Sequence, residues 1–260
     1  MKTATIVPIH PKHLQEGINC LYSFKENSKN DFFFVFSSTE DRDFFQSRMN
    51  RVLDHIMIDR ETVERYPQGV ITVKKLFGLR SIFDRYDYIG VFDSETVFVR
   101  EFDSDVIYPD IYSKHYLKAN RSLKGGEVVK NCALVMNLHD NQTLIQETDN
   151  YTQYWWFNEI AVYERDSFSE FFDFILSSSN KEQILSGYWH FDYLLYGIWL
   201  ICFKNFKVKK CMQNREFHWG AVEDNGWGAP PDDLITTEFN SYIDRTNYLK
   251  HQKVKALIQQ

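Results

Sequence analysis

The chain has 260 residues, 43% of them hydrophobic, and a formal net charge of −6. That is enough apolar material for an α/β domain with a substantial core, and it excludes an intrinsically disordered chain. The acidic balance argues against general nucleic-acid binding through a phosphate-neutralising surface. Cys20, Cys132, Cys202 and Cys211 form no CxxC pair and read as reduced, buried thiols. The opening MKTATIVPIHPKH is too briefly apolar for a signal peptide, and the most apolar run, residues 193–203, is too short to span a bilayer. The expectation from these is a cytoplasmic protein.

In chain order, residues 3–9 (TATIVPI) predict a short buried strand. Leu14, Ile18, Leu21 and Phe24 then fall at helical spacing. Residues 32–36 (FFFVF) predict a second buried strand, ended by Ser37, Ser38, Thr39 and Glu40, a helix-start signal for a helix running to about residue 55. A strand-like IMI follows at 56–58, then an amphipathic helix over 72–84 with Val73, Leu76, Phe77, Leu79 and Phe83 inward. Continuous apolar strands alternating with helices predict a mostly parallel, Rossmann-like sheet with helices on both faces. In such a sheet, ligands sit beyond the carboxyl ends of the strands, so Pro8–His13, Ser37–Glu40 and Asp93–Glu95 are expected to line one crevice. There is no GxGxxG and no P-loop.

The second half is less regular. It predicts a strand at 128–136, an aromatic-rich helix over 153–176, a buried helix over 188–203, a lysine-faced strand at 205–211 and a basic amphipathic helix near 241–258. No linker or repeat divides the chain, which predicts one domain over 1–260.

Residues 86–101, YDYIGVFDSETVFVRE, place Asp93 and Glu95 inside what reads as one core strand. If the strand continues, residues i and i+2 share a face and the two carboxylates lie side by side, with Ser94 between them. Two close like charges repel, and a hard divalent cation, Mg2+ or Mn2+, removes the conflict. A solvated turn is the plainer alternative for an isolated D-x-E.

Residues 75–99, KLFGLRSIFDRYDYIGVFDSETVFV, resemble the core of GT-A fold glycosyltransferases: a Lys/Arg-bearing helix, an aromatic-rich strand, an acidic D-x-D motif and a following apolar strand. The closest resemblance is to the family 8-like members, with KNCALVMN at 130–137, YWHFDYLLYG at 188–197 and HWG at 218–220 in the places of three further motifs. The chain departs from the pattern in a D-x-E in place of D-x-D, in Ala133 where glycine is usual, and in the absence of the late phosphate-binding lysine. The resemblance implies a single GT-A domain whose residues 1–110 bind a nucleotide-diphosphate sugar and whose residues 111–260 bind the acceptor. It implies a metal held by Asp93, Glu95 and His218, acting as a Lewis acid on the leaving diphosphate. Donor contacts are then expected from Pro8, Ile9, His10, Ser37, Ser38, Lys75, Arg80, Asp93, Ser94 and Asn131.

The implied acceptor is a glycan or a lipid-linked sugar. Flat rings cover the apolar faces of sugars, so Trp155, Trp156, Trp189, Trp219 and Trp227 are candidates for its groove, with core filling the plainer reading. Candidate bases or orienting carboxylates are Asp192, Glu159, Glu223 and Asp224, with Asp192 placed first. The lysines of 204–210 and 248–255 suggest peripheral contact with an anionic membrane, against the plainer reading of a solvated face. The Lys, Asn, Phe and Ile enrichment hints at a bacterial source and at surface-polysaccharide biosynthesis. The competing function is a catalytically inactive carbohydrate-binding protein on the same fold, motivated by the D-x-E and the missing lysine.

Overall fold

The computed structural model describes residues 1–10, 13–49, 53–94, 96–98, 101–155, 161–210 and 243–244. The first half runs β1 (Thr3–Pro8), α1 (Leu14–Asn27), β2 (Asp31–Phe36), α2 (Thr39–Gln46), β3 (His55–Met57), α3 (Arg60–Glu64), α4 (Val70–Ile82), β4 (Tyr88–Val91) and β5 (Val97–Phe98). It continues through α5 (Ser104–Ser113), β6 (Tyr116–Arg121), α6 (Leu123–Val135), α7 (Gln142–Glu147) and β7 (Gln153–Tyr154). The last described elements are β8 (Ala161–Glu164), α8 (Arg165–Ser177), α9 (Lys181–Ser186), α10 (Asp192–Phe203), β9 (Lys207–Lys210) and β10 (Ile243–Asp244).

The central sheet has five strands in the order β3-β2-β1-β4-β8. The first four are parallel, and β8 closes the edge antiparallel to β4, with Ile89 opposite Tyr163. Helices cover both faces, the mostly parallel α/β architecture that the alternating elements predict. Because side chains alternate along a strand, each strand feeds two apolar layers. Ile6, Val35, Ile89 and Tyr163 face one layer, with α4, α6, α8 and α10. Val7, Phe34, Phe92 and Val162 face the other, with α1, α2 and α5. Gly90 is required on the second side: a Cβ there would stand 2.3 Å from the Tyr108 ring, which crosses β4 to place its hydroxyl 2.6 Å from Thr5 Oγ1. A smaller sheet, β7-β6-β9, lies in the second half.

The predicted helix start after β2 is present: Ser38 caps α2 by accepting from the Asp41 N–H at 3.1 Å. That helix stops at Gln46 rather than near residue 55; Gln46 Oε1 instead accepts from the Leu53 N–H, closing the loop into β3. The predicted strand at 128–136 is the body of α6. Val129, Cys132, Ala133 and Met136 form one buried helical stripe, and Ser122 caps the start. The predicted helix over 153–176 is two strands and a shorter helix, because Ala161–Glu164 alternates against β4 and Glu164 caps α8 through the Asp166 and Ser167 N–H groups. The helix expected to begin at residue 188 begins at Asp192. Of the helix expected near 241–258, only Ile243–Asp244 lies within the described residues, and it is a strand paired with β5.

The strand that opens on Tyr88 does not run through the acidic pair. It ends at Val91, and the Thr96 N–H donates to the Asp93 carbonyl at 3.1 Å, turning the chain before β5. The strand on which positions 93 and 95 would share a face therefore stops before them. Asp93 stands at the strand's end, and Glu95 lies outside the described residues.

Candidate active site

In an open α/β sheet the crevice forms where successive strands are laid on opposite sides of the first. Here that point falls between β1 and β4, because β2 and β3 extend one way from β1 and β4 and β8 extend the other. The backbone pairing runs one residue past the strand, the Phe92 N–H donating to Ile6 O at 3.1 Å, and Asp93 then leaves the sheet at a cleft it shares with Pro8 and His10. The cleft beyond these ends has Pro8, His10, Lys75, Asp93 and Ser94 on its floor. The segment 67–72 lines the rest of it together with Tyr188, Trp189 and Phe191, the two stretches joined where Thr72 Oγ1 donates to His190 O at 2.9 Å. Trp189 is 43% exposed and meets the Tyr188 ring edge-on at 4.9 Å.

Lys75 is the centre of the charge arrangement. Its residue is 4% exposed, and its Nζ lies 2.9 Å from Asp93 Oδ1 and 3.3 Å from Asp192 Oδ1. The second contact is an ion pair without hydrogen-bond alignment. Asp192 is 1% exposed, and its other oxygen accepts from the Tyr163 hydroxyl at 2.6 Å. Burial first, and then the Asp192 charge, push the Tyr163 phenol well above its ordinary range, so it stays a donor. One buried ammonium thus stands between two carboxylates, and the group carries an excess negative charge at the mouth of the crevice. Burying such a set is costly unless each charge is paired.

The neighbouring lysine on α4 reaches another way. Lys74 Nζ donates to Ile9 O at 3.0 Å, and burial holds its ammonium below the usual lysine range, with Asp41 opposing the shift. Helix α4 therefore sends two consecutive buried lysines to the carboxyl ends of the strands, one to β1 and one to β4.

The expected donor residues divide by position. Pro8, His10, Lys75, Asp93 and Ser94 line the cleft. Ile9 is 1% exposed beneath it, its N–H donating to Val35 O. Ser37 and Ser38 are half-buried at the end of β2, away from the cleft lining, and Ser38 is occupied as the α2 cap. Arg80 is exposed in the last turn of α4, 4.0 Å from Asp84 and over the Phe83 ring, toward the opposite end of that helix. Asn131 faces outward on α6. Glu95, His218, Glu159, Glu223, Asp224, Trp156, Trp219 and Trp227 lie outside the described residues. Trp155 is a core side chain, 4% exposed against Gly197. Tyr163 is a functional candidate that only the fold brings out; its one trace in the sequence is the alternating AVYE that places it on the inner face of an edge strand.

Asp93 offers hard oxygen donors, and three residues on, the Thr96 hydroxyl is buried with no hydrogen-bond partner among the described residues. A hard cation fits this chemistry. Among the described residues, no group of three or more His, Cys, Asp and Glu side chains is arranged to hold a metal by itself. Nor does any helix among them have the length and apolarity to cross a membrane.

No protein-family model and no curated protein matches the chain. Some solved structures are similar to it in part. Core-mannan synthase A from Aspergillus fumigatus, in an Mn/GDP form, superposes with a TM-score of 0.48 at 11% identity, over 81% of this chain and 72% of that one. Mouse xyloside xylosyltransferase 1 gives 0.45 at 9% identity, over 95% and 98%. The S. cerevisiae mannosyltransferase Ktr4p gives 0.38 at 13% identity over 75% of this chain, which spans 62% of the yeast enzyme. These are likenesses of layout.

Proposed function

We propose that the protein is a GT-A glycosyltransferase that moves a sugar from a nucleotide-diphosphate donor to a hydroxyl of a glycan or lipid-linked acceptor. The observation that carries this reading is Asp93, held by buried Lys75 at the switch-point crevice and faced by an exposed aromatic wall. The D-x-E sequence around Asp93 and the layout of the chain support it.

In this reading residues 1–110 supply the donor floor, and the second half supplies the acceptor wall. Pro8 and His10 seat the nucleotide at the β1 end, and Ser94 borders the diphosphate. Trp189 and Tyr188 present flat faces to a sugar ring. Asp93, with Glu95 and His218, would hold a Mn2+ or Mg2+ ion, which would supply Lewis-acid stabilisation of the leaving diphosphate. Lys75 orients the Asp93 carboxylate rather than meeting phosphate itself, since its ammonium is already shared between two carboxylates. Asp192 has its oxygens turned to Lys75 and Tyr163, so its part is to hold Lys75, and proton transfer from the acceptor falls to Glu159, Glu223 or Asp224. The lysines of β9 are matched within the fold: Lys207 to Glu147 at 3.0 Å, Lys210 to Asp149 at 3.3 Å, and Lys209 over the Tyr116 ring. That pairing weakens the case for this strand as a membrane-docking stripe.

The test is thermal-shift and calorimetric screening of nucleoside diphosphates with Mn2+, followed by release of free nucleotide from the matching nucleotide sugars. Asp93→Ala is expected to abolish both metal-dependent binding and turnover. Turnover unchanged in Asp93→Ala would overturn the reading. The exposed Trp189 and Tyr188 also suit a carbohydrate-binding protein without catalysis. That alternative requires glycan binding with no uptake of any nucleoside diphosphate.

A further inference from the structure

We propose that Tyr163 is a positioning residue for the crevice: by fixing Asp192 against Lys75, it sets how tightly Lys75 grips Asp93. The inference rests on reading Asp93 as a metal ligand.

The geometry crosses four elements. Tyr163 stands on β8, Asp192 opens α10, Lys75 lies on α4 and Asp93 follows β4. Tyr163 OH to Asp192 Oδ2 is 2.6 Å, Asp192 Oδ1 to Lys75 Nζ is 3.3 Å, and Lys75 Nζ to Asp93 Oδ1 is 2.9 Å. Tyr163, Lys75 and Asp192 are buried, whereas Asp93 is 17% exposed and borders the cleft. The line therefore begins in the core and ends at the crevice.

Lys75 is a single charge with two carboxylates competing for it. Whatever secures it to Asp192 leaves Asp93 freer to hold a cation, and whatever loosens Asp192 hands Lys75 to Asp93. Tyr163 acts on that balance from behind. A hydroxyl donating to a carboxylate at this distance is a strong, charge-assisted bond, and it fixes the oxygen that does not face Lys75. The ring cannot drift, because it stacks on Tyr196 at 4.6 Å and meets Phe168 edge-on at 5.7 Å. Without the hydroxyl, Asp192 keeps a buried oxygen with no donor, loses its fixed rotamer and holds Lys75 less well. Lys75, already 2.9 Å from Asp93 Oδ1, then gives that carboxylate its undivided charge and competes more strongly with a cation for it.

The experiment measures the affinity of the full chain for Mn2+ alone, by electron paramagnetic resonance of the free ion, beside the thermal midpoint of each variant. Tyr163→Phe is expected to weaken Mn2+ binding roughly tenfold, the scale of one charge-assisted hydrogen bond. Asp192→Asn, which keeps the shape and removes the charge, should weaken it similarly, and adding Tyr163→Phe to Asp192→Asn should cost less than about twofold more, because both act through Lys75. Tyr196→Phe, which alters the stacked neighbour only, should leave the affinity unchanged. A lower thermal midpoint in Tyr163→Phe with unaltered Mn2+ affinity would make Tyr163 merely structural, overturning the proposal while leaving the Asp93 reading intact. Should Tyr163→Phe fail to fold, wild-type Mn2+ affinity in Asp192→Asn overturns it equally. No Mn2+ binding by the wild-type chain sinks the metal reading itself and this inference with it.

Discussion

On one face of the central sheet, Phe24, Phe32, Phe34, Phe36, Phe45, Phe92, Phe98 and Phe102 interlock, each no more than 2% exposed. Their ring centroids stand close, 4.7 Å for Phe24–Phe32, 4.8 Å for Phe34–Phe45 and 5.0 Å for Phe98–Phe102. On the other face the deep rings near the crevice are tyrosines. Tyr163 stacks on Tyr196, and the Tyr154 and Tyr193 hydroxyls meet at 3.0 Å. The first face buries few groups that must be paired, chiefly the Tyr108 hydroxyl against Thr5, so its stability is mostly a matter of volume and fit. The second carries hydroxyls, a buried lysine and a buried carboxylate, so its stability depends on pairing as well. Most of the buried polar groups on the second face have a neighbour that answers them. The charged ones meet at Lys75.

The strongest way to break the comparison is to empty the phenylalanine face. Phe34 is 0% exposed between Phe32, Phe36 and Phe45. Phe34→Ala is expected to cost about 3–5 kcal/mol in urea unfolding, through lost transfer energy and the cavity left behind. A loss below about 1 kcal/mol would mean that this layer collapses around the gap and is not close-packed.

Adding volume probes the same layer more gently. A methyl at Gly90 would fall 2.3 Å from Tyr108, so Gly90→Ala must push that ring and its hydroxyl off Thr5. Overpacking of this kind is expected to cost about 1–3 kcal/mol. Unchanged stability in Gly90→Ala would show that Tyr108 moves freely and that the layer beside β4 is loose.

Much of the phenylalanine face is legible in the sequence and much of the tyrosine face is not. FFFVF, with Ser38 after it, specifies a buried strand and a capped helix through local rules alone. The crevice is legible too, because strand ends follow from strand positions, and Asp93, Pro8 and His10 fall in it. What escapes is what needs a partner far along the chain. Lys75 reads as a helix lysine able to reach a ligand, and only the fold brings Asp192, far down the sequence, to the back of it. VVKNCALVM, apolar in a short window, predicts a strand around Asn131; its helical stripe appears only when Ser122 and Met136 are counted in. Arg80 and Lys75 look alike in sequence, and the turn of α4 buries one and exposes the other.

A smaller and opposite effect separates the tyrosines from one another. Tyr196 is 3% exposed, and among the described residues its hydroxyl has no aligned hydrogen bond, although Tyr112, which donates to Ser167 at 2.6 Å, and the Glu164 backbone lie near it. Removing an unpaired buried hydroxyl relieves its desolvation, so Tyr196→Phe is expected to leave stability unchanged or raise it by up to about 1 kcal/mol. A loss of stability in Tyr196→Phe would show that its hydroxyl is paired after all, and that pairing on this face extends past Tyr163.

The slightest effect concerns reactivity rather than stability. Burial pushes the Cys132 and Cys202 thiols up to about 12. At pH 8 the thiolate fraction of each is then about one in ten thousand, and the thiolate is the reacting species. Both flank the polar face: Cys132 lies on α6 with its Sγ 3.6 Å from Trp189 O, and Cys202 lies on α10. Native protein treated with iodoacetamide at pH 8 should therefore show neither cysteine alkylated by peptide mass spectrometry, while the urea-unfolded chain shows both. Prompt labelling of Cys132 alone would mean that the loop carrying Trp189 lifts from α6 in solution. The aromatic wall of the crevice would then be a hinged element, and the contrast between a face held by volume and a face held by pairing would gain a moving part.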